Sequence, residues 1–164
     1  MKVQKISELE FNQLEAPRKI IVNEHSHVFG IIDLGKTLGN YGLCWGSDII
    51  TPCVELSSDR RTLWVGVDQR LAAIDLQKGH ICIAMSLMMP LFQIAIADNF
   101  TAVLTELEVL LFSPNRTLTC FSVLPDLTSK ISVSGSDFTI EMFDGSSLFL
   151  TRSGVIKQPS VASK

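Results

Sequence analysis

The side chains in this sequence that could do chemistry are few and scattered. His25-Ser26-His27 would place two imidazoles on one face of a strand, which is how many metal sites begin, and His80 is the only other histidine. The next acid downstream of the pair is Asp33, so no third ligand is spelled close by. Gly42-Leu43-Cys44-Trp45-Gly46 has the Gly-x-Cys-x-Gly form of a nucleophile elbow, but the Ser47-Asp48-Ile49-Ile50-Thr51-Pro52 that follows is no helix. The four cysteines, at 44, 53, 82 and 120, stand in apolar surroundings without Cys-x-x-Cys spacing. That pattern reads as small buried thiols in a reducing compartment. No triad, phosphate loop or metal cluster is written in the chain, and the expectation is a protein without catalysis or cofactor.

What remains is suited to recognition. Between 101 and 151 the acids are Glu106, Glu108, Asp126, Asp137, Glu141 and Asp144, against only Arg116 and Lys130. If the turns that carry them line up, Glu106, Glu108, Asp137, Glu141 and Asp144 form an acidic rim that would steer a basic partner. Tyr41 and Trp45, in a glycine-rich stretch, are candidate aromatic anchors for the same partner. Trp64, inside an apolar run, reads as core.

Length and composition set the frame. At 164 residues, with 46% hydrophobic and 19% charged residues, the chain is most simply one domain, 1–164, able to bury a substantial core. A net charge of -3 argues against nucleic acid as the partner. The first residues lack an apolar signal region, and the longest apolar run, 81–96, is interrupted by Ser86, Pro90 and Gln93. The expectation is therefore a cytoplasmic protein that crosses no membrane.

The elements that must position these side chains are strands. Leu63-Trp64-Val65-Gly66-Val67, Leu71-Ala72-Ala73-Ile74 and Ile81-Cys82-Ile83-Ala84 are three apolar runs joined by hairpin-length loops with Asp and Gly at the bends. The pattern returns when the chain is slid against itself by 38 residues. Phe100-Thr101 falls on Phe138-Thr139, and Leu71-Ala72-Ala73-Ile74-Asp75 falls on Val109-Leu110-Leu111-Phe112-Ser113 and then on Ser147-Leu148-Phe149-Leu150-Thr151. One further apolar segment precedes each meander, so residues 51–157 hold three repeats of about four strands. Before them, 1–50 reads as a cap: a short helix within 3–15, strands at Lys19-Ile20-Ile21-Val22 and His27-Val28-Phe29-Gly30-Ile31-Ile32, then a glycine-rich loop. The tail, 158–164, reads as frayed.

The first repeat, with its apolar strand, Ala73-Ile74-Asp75 and Gly79, resembles a blade of the quinoprotein-type β-propellers, although the closing Trp is replaced by Cys82 and Ile83. The resemblance covers about twenty residues, and Ser113 and Thr151 take the place of the Asp in the later repeats. It implies an all-β fold of three four-stranded meanders, an open or partial propeller, with a β-trefoil as the alternative. It transfers no cofactor residues, because the blade motif is structural.

The function expected from these features is non-catalytic binding of another protein. Its most concrete form is a small cytosolic inhibitor of a bacterial toxin, since the chain resembles immunity proteins in general character. Two alternatives stand beside it: a metal- or ligand-binding small enzyme or sensor using His25, His27 and His80, and a subunit that completes a larger propeller-like assembly.

Overall fold

In the computed structural model, which describes residues 1–159, sixteen strands form four four-stranded sheets. The fold is all-β, as the repeat pattern requires. The chain divides into two compact units, Met1–Leu56 with Arg60–Pro90, and Ser57–Asp59 with the chain from Leu91 onward. Each unit holds two sheets.

The three expected repeats are three uninterrupted antiparallel meanders, with β5 (Cys53–Leu56), β6 (Thr62–Val67), β7 (Arg70–Asp75) and β8 (His80–Ser86) forming the first. The second comprises β9 (Leu91–Ala97), β10 (Phe100–Thr105), β11 (Glu108–Phe112) and β12 (Leu118–Val123). The third comprises β13 (Thr128–Ser134), β14 (Asp137–Met142), β15 (Ser147–Leu150) and the two-residue β16 (Ile156–Lys157). Each repeat closes its own sheet, which is the blade arrangement and not the trefoil one.

The turn after the third strand of each repeat shows why the repeat tolerates three different residues. Asp75 accepts hydrogen bonds at Oδ1 from the N–H groups of Gln77 (2.9 Å) and Lys78 (3.0 Å), while the Gly79 N–H returns to the Asp75 carbonyl at 2.8 Å. In the second repeat the Ser113 hydroxyl accepts from the Thr117 N–H at 3.3 Å, and in the third the Thr151 hydroxyl accepts from Val155 at 3.1 Å. All three side chains hold a turn by accepting main-chain N–H groups, as Asx and Ser/Thr turns do.

The N-terminal stretch contributes a fourth sheet. Its strands are β1 (Gln4–Ile6), β2 (Lys19–Ile21), β3 (Val28–Asp33) and β4 (Asn40–Trp45), in the order β1-β3-β4-β2, with β2 parallel to β4 and the other pairs antiparallel. Two expectations are corrected here. The glycine-rich stretch is not a loop throughout, since Gly35–Leu38 is a short helix and Asn40–Trp45 is strand β4, and its glycines serve close approach as well as bending. A Cβ on Gly42 would lie 2.3 Å from Leu14 Cδ1, and one on Gly30 would lie 2.4 Å from Val3 Cγ1. The expected helix is only α1 (Glu8–Asn12), held by a capping box in which the Ser7 hydroxyl accepts from Glu10 N–H and Glu10 accepts from Ser7 N–H at 2.8 Å. Residues before it pair as β1 instead, and Phe11, not Leu9, turns inward, with its ring centroid 5.4 Å from that of Phe29.

In the first unit Ile21, Ile32, Tyr41, Leu43 and Trp45 share a core with Leu63, Val65, Val67, Ala72 and Ile74. In the second, Ala102, Leu104, Val109 and Leu111 share one with Ile131, Phe138, Ile140, Met142, Leu148 and Leu150. The Gln93 side chain ties β9 to β13 there, its amide donating to the Ile131 carbonyl at 2.8 Å and accepting from the Ile131 N–H at 3.1 Å. Of the tail expected to fray, residues 160–164 lie outside the described residues.

Candidate functional site

Successive turns of a meander alternate between the two ends of the sheet, so the acids sort by turn. In the second unit one end is built from the β10–β11 turn with Glu106 and Leu107, the β12–β13 loop with Asp126 and Leu127, and the β14–β15 turn with Phe143 and Asp144. Main-chain bonds stitch the three together. Leu124 N–H donates to Leu107 O at 2.7 Å, Thr128 N–H to Glu106 O at 2.9 Å, and Phe143 N–H to Leu127 O at 3.0 Å. Beneath them the Thr128 hydroxyl donates to Thr105 O at 2.7 Å, and the Thr105 hydroxyl accepts from Glu108 N–H at 3.0 Å. A surface fixed this way loses little entropy on binding.

That end is both acidic and apolar. Phe143 is 71% exposed although it sits in a turn, and Leu127 and Val123 are exposed as well. Asp144 is held by Ser146, whose hydroxyl donates to Oδ1 at 2.5 Å and whose N–H donates to the same oxygen at 2.8 Å. Those two bonds, the hydroxyl's first, keep the Asp144 carboxyl below the usual aspartate range. Asp126 accepts from the Leu127 N–H at 2.7 Å. Of the basic residues described after Leu91, Arg116 and Arg152 are in turns at the opposite end and Lys157 is in β16, while Lys130, two residues into β13 from the acidic end, is paired with Glu141.

The expected rim of five acids is therefore divided. Glu106 and Asp144 share the end just described. Asp137 stands in the β13–β14 turn at the opposite end, where its Oδ1 accepts from the Arg152 N–H at 3.1 Å. Arg152 also pairs with Asp98 at 3.2 Å. Glu141, next to last in β14 and so close to the end of Glu106 and Asp144, is paired with Lys130 at 3.6 Å. Glu108 is 6% exposed and opens β11, one carboxyl oxygen making no hydrogen bond among the described residues, so it offers no surface charge.

Tyr41 and Trp45 are each 1% exposed and belong to the core of the first unit. The Tyr41 hydroxyl donates to Gly79 O at 2.8 Å, and the Trp45 indole N–H is shared between the carbonyls of Ser47 (2.9 Å) and Ile50 (3.1 Å). Burying their polar atoms in such bonds is what lets large aromatics fill a core. Among the described aromatic residues Phe143 is the most exposed, and it is not one of the residues expected from the sequence. Its signal was a Phe placed among the turn residues Asp144-Gly145-Ser146.

The histidines do not assemble. His25 is in the turn before β3, His27 precedes the strand with its N–H donating to Trp45 O at 3.0 Å, and His80 begins β8; all three are exposed. Among the described residues no three metal-ligating side chains gather. Cys44 lies in mid-strand, 2% exposed, with no elbow around it. None of the four cysteines forms a disulfide, and burial raises the Cys120 thiol above the usual thiol range. Two depressions open on the first unit. In the one lined by Asp68, Gln69, Arg70 and Ser86, Asp68 accepts from Gly46 N–H at 2.9 Å and Arg70 donates to Ser86 Oγ at 2.8 Å. The other is lined mainly by Leu34, Leu38, Leu56 and Leu76.

No protein-family model matches the chain, and no curated protein sequence matches it. Among solved structures it is similar to the crystal structure of Kluyvelomyces marxianus Hsv2, with a TM-score of 0.43 and 10% identity over 65% of this chain and 34% of that one. A second is KlHsv2 with loop 6CD replaced by a Gly-Ser linker, at 0.43 and 10% over 66% and 38%. The chain thus spans about a third of the length of these structures. No helix among the described residues is long and apolar enough to cross a membrane.

Proposed function

We propose that this protein works by binding another protein, without catalysis, through the acidic and apolar end of its second unit. The observation that carries the reading is the exposed Phe143, set in a rigid group of turns with Glu106, Asp126 and Asp144, where none of the three makes an ion pair among the described residues and the nearby Lys130 is paired with Glu141. An aromatic anchor supplies affinity when a partner pocket covers it, and a ring of unpaired carboxylates supplies steering and selects positive charge. The partner is a basic protein with an apolar recess. The concrete form of this reading is a cytoplasmic inhibitor of a bacterial toxin, in which the carboxylates cover the cationic surface by which the toxin engages its own substrate.

The test is parallel capture from the native cell by the wild-type chain and by Glu106→Gln/Asp126→Asn/Asp144→Asn, with bound proteins identified by mass spectrometry. Wild type brings down a basic protein that the neutralised variant retains poorly. A partner held equally by both overturns the assignment of the surface. A purified chain carrying a stoichiometric metal would favour the histidine-based alternative instead.

A further inference from the structure

One of the two depressions on the first unit, of about 380 Å³, is lined by Asn23, Asp68, Gln69 and Arg70 together with the apolar Ile50 and Leu87. That volume is at the small end for ligand sites, and suits a small molecule. Its charged residues come from the β6–β7 turn, where Asp68 takes a left-handed conformation, φ 51°, that Asp tolerates. The turn is pinned from both sides. Asp68 Oδ2 accepts from the Gly46 N–H at 2.9 Å, and the Leu87 N–H donates to Gln69 O at 2.8 Å. The loop that carries Gly46 and Ile50 is fixed in turn by the Trp45 indole, which donates to the carbonyls of Ser47 and Ile50.

Asp68 and Arg70 are opposite charges two residues apart, yet neither makes an ion pair among the described residues. Each is held elsewhere: Asp68 by the main chain of Gly46, and Arg70 by the Ser86 hydroxyl on β8, to which its Nη1 donates at 2.8 Å. A carboxylate has roughly four acceptor sites and a guanidinium about five N–H donors, so one bond apiece leaves most of their capacity open. Both side chains are half-buried, where water and salt screen a charge less than on open surface. Asn23, also half-buried, is held by its main chain alone, its N–H donating to Cys44 Sγ and its carbonyl accepting from the Ser26 hydroxyl, so its side-chain amide is uncommitted among the described residues.

We infer that this depression binds a small zwitterion, specifically a free α-amino acid with an apolar side chain. The Arg70 guanidinium takes the ligand carboxylate, for which its planar fork is suited. Asp68 and the Asn23 amide oxygen take the ammonium, and Ile50 and Leu87 cover the side chain. Selection follows from the two opposite charges lining one small space. A simple anion there meets Asp68 as a like charge, and a simple cation meets Arg70, so a ligand with one charge pays a repulsion that a zwitterion does not. A peptide terminus carries only one of the two charged groups on its end residue and is discriminated against on the same ground.

The test follows the amide chemical shifts of the full chain by NMR while L-leucine, N-acetyl-L-leucine, L-leucinamide and glycine are titrated in separately to millimolar concentration. Leucine should produce saturable shifts at Gly46, Gln69 and Leu87, and the two blocked forms and glycine should bind about tenfold more weakly or worse. Arg70→Gln and, separately, Asp68→Asn should each weaken leucine binding by about tenfold or more with an unchanged circular dichroism spectrum. Asp68→Asn retains an acceptor for the Gly46 N–H, so the turn keeps its anchor while the charge is lost. The inference is overturned if leucine gives no saturable shift, if either blocked form or glycine binds as tightly as leucine, or if both folded variants bind leucine as wild type does. No outcome bears on the carboxylate end, whose partner is absent from the experiment.

Discussion

The two ends of the second unit are built from the same kind of short turns, yet they treat charge in opposite ways. At one end the Arg152 guanidinium pairs with Asp98 and Arg116 stands in a neighbouring turn, so cations share that end with the acids, although Asp137 accepts only the Arg152 main-chain N–H. At the other end Asp126 and Asp144 accept from main-chain and hydroxyl donors, none of the acids Glu106, Asp126 and Asp144 makes an ion pair among the described residues, and Phe143 stands exposed in the same group of turns. Surface ion pairs contribute little stability, about 0–1 kcal/mol, so the pairing at the first end is no fold requirement that the second lacks. Under the proposed function, the end that carries Phe143 is the one a partner would answer.

The sharpest way to break this comparison is to remove the anchor. Phe143→Ala should weaken partner binding by about 2 kcal/mol or more, roughly thirtyfold, as expected for a central aromatic. Arg152→Ala, at the opposite end, should leave affinity unchanged. Isothermal titration of both variants decides the matter, and equal losses from the two would dissolve the distinction between the ends. Neutralising charge comes next in size. Glu106→Gln with Asp144→Asn should slow association about tenfold at low salt and flatten its salt dependence, with dissociation nearly unchanged. Asp137→Asn should do neither, and stopped-flow association rates would expose the reverse.

The repeats could be read from the sequence because their information is local. Strands joined by tight turns carry a period of two, polar bends at fixed offsets and a spacing that survives sequence change. Ser113 and Thr151 looked like decay of the Asp75 motif, but they hold the same turn with a hydroxyl. The first sheet was partly hidden for the opposite reason. Its β2–β4 pairing is parallel and distant in sequence, and Gly30 and Gly42 report close packing of Val3 and Leu14, a signal that looks like chain breaking until the neighbour is known. For the surface, the charge imbalance was legible but its division was not. Asp137 and Asp144 both flank turns, and only counting strands shows that those turns lie at opposite ends. Tyr41 and Trp45 drew attention by residue type, whereas exposure, which type does not fix, selected Phe143.

The smallest effect expected concerns the hydrogen bonds that hold Asp144 in its charged form. The Ser146 hydroxyl, with the Ser146 N–H second, lowers the carboxyl pKa in the folded chain. A depressed folded-state pKa contributes stability that is present above the unfolded value and lost as pH falls through the folded one. The same window governs steering, because Asp144 keeps its charge at acidities where an ordinary aspartate has begun to lose it. Ser146→Ala removes the larger cause and leaves the main-chain bond, so the carboxyl should titrate at a higher pH, still on the low side of the usual range. An NMR titration of the Asp144 side-chain carbon should show the midpoint move up, while the association rate at neutral pH stays the same because both forms of the protein are then ionised. As pH is lowered, the variant's association rate should begin to fall earlier than that of wild type. If the two rate profiles coincide while the midpoints differ, Asp144 does not face the partner, and Glu106 and Asp126 carry the steering alone.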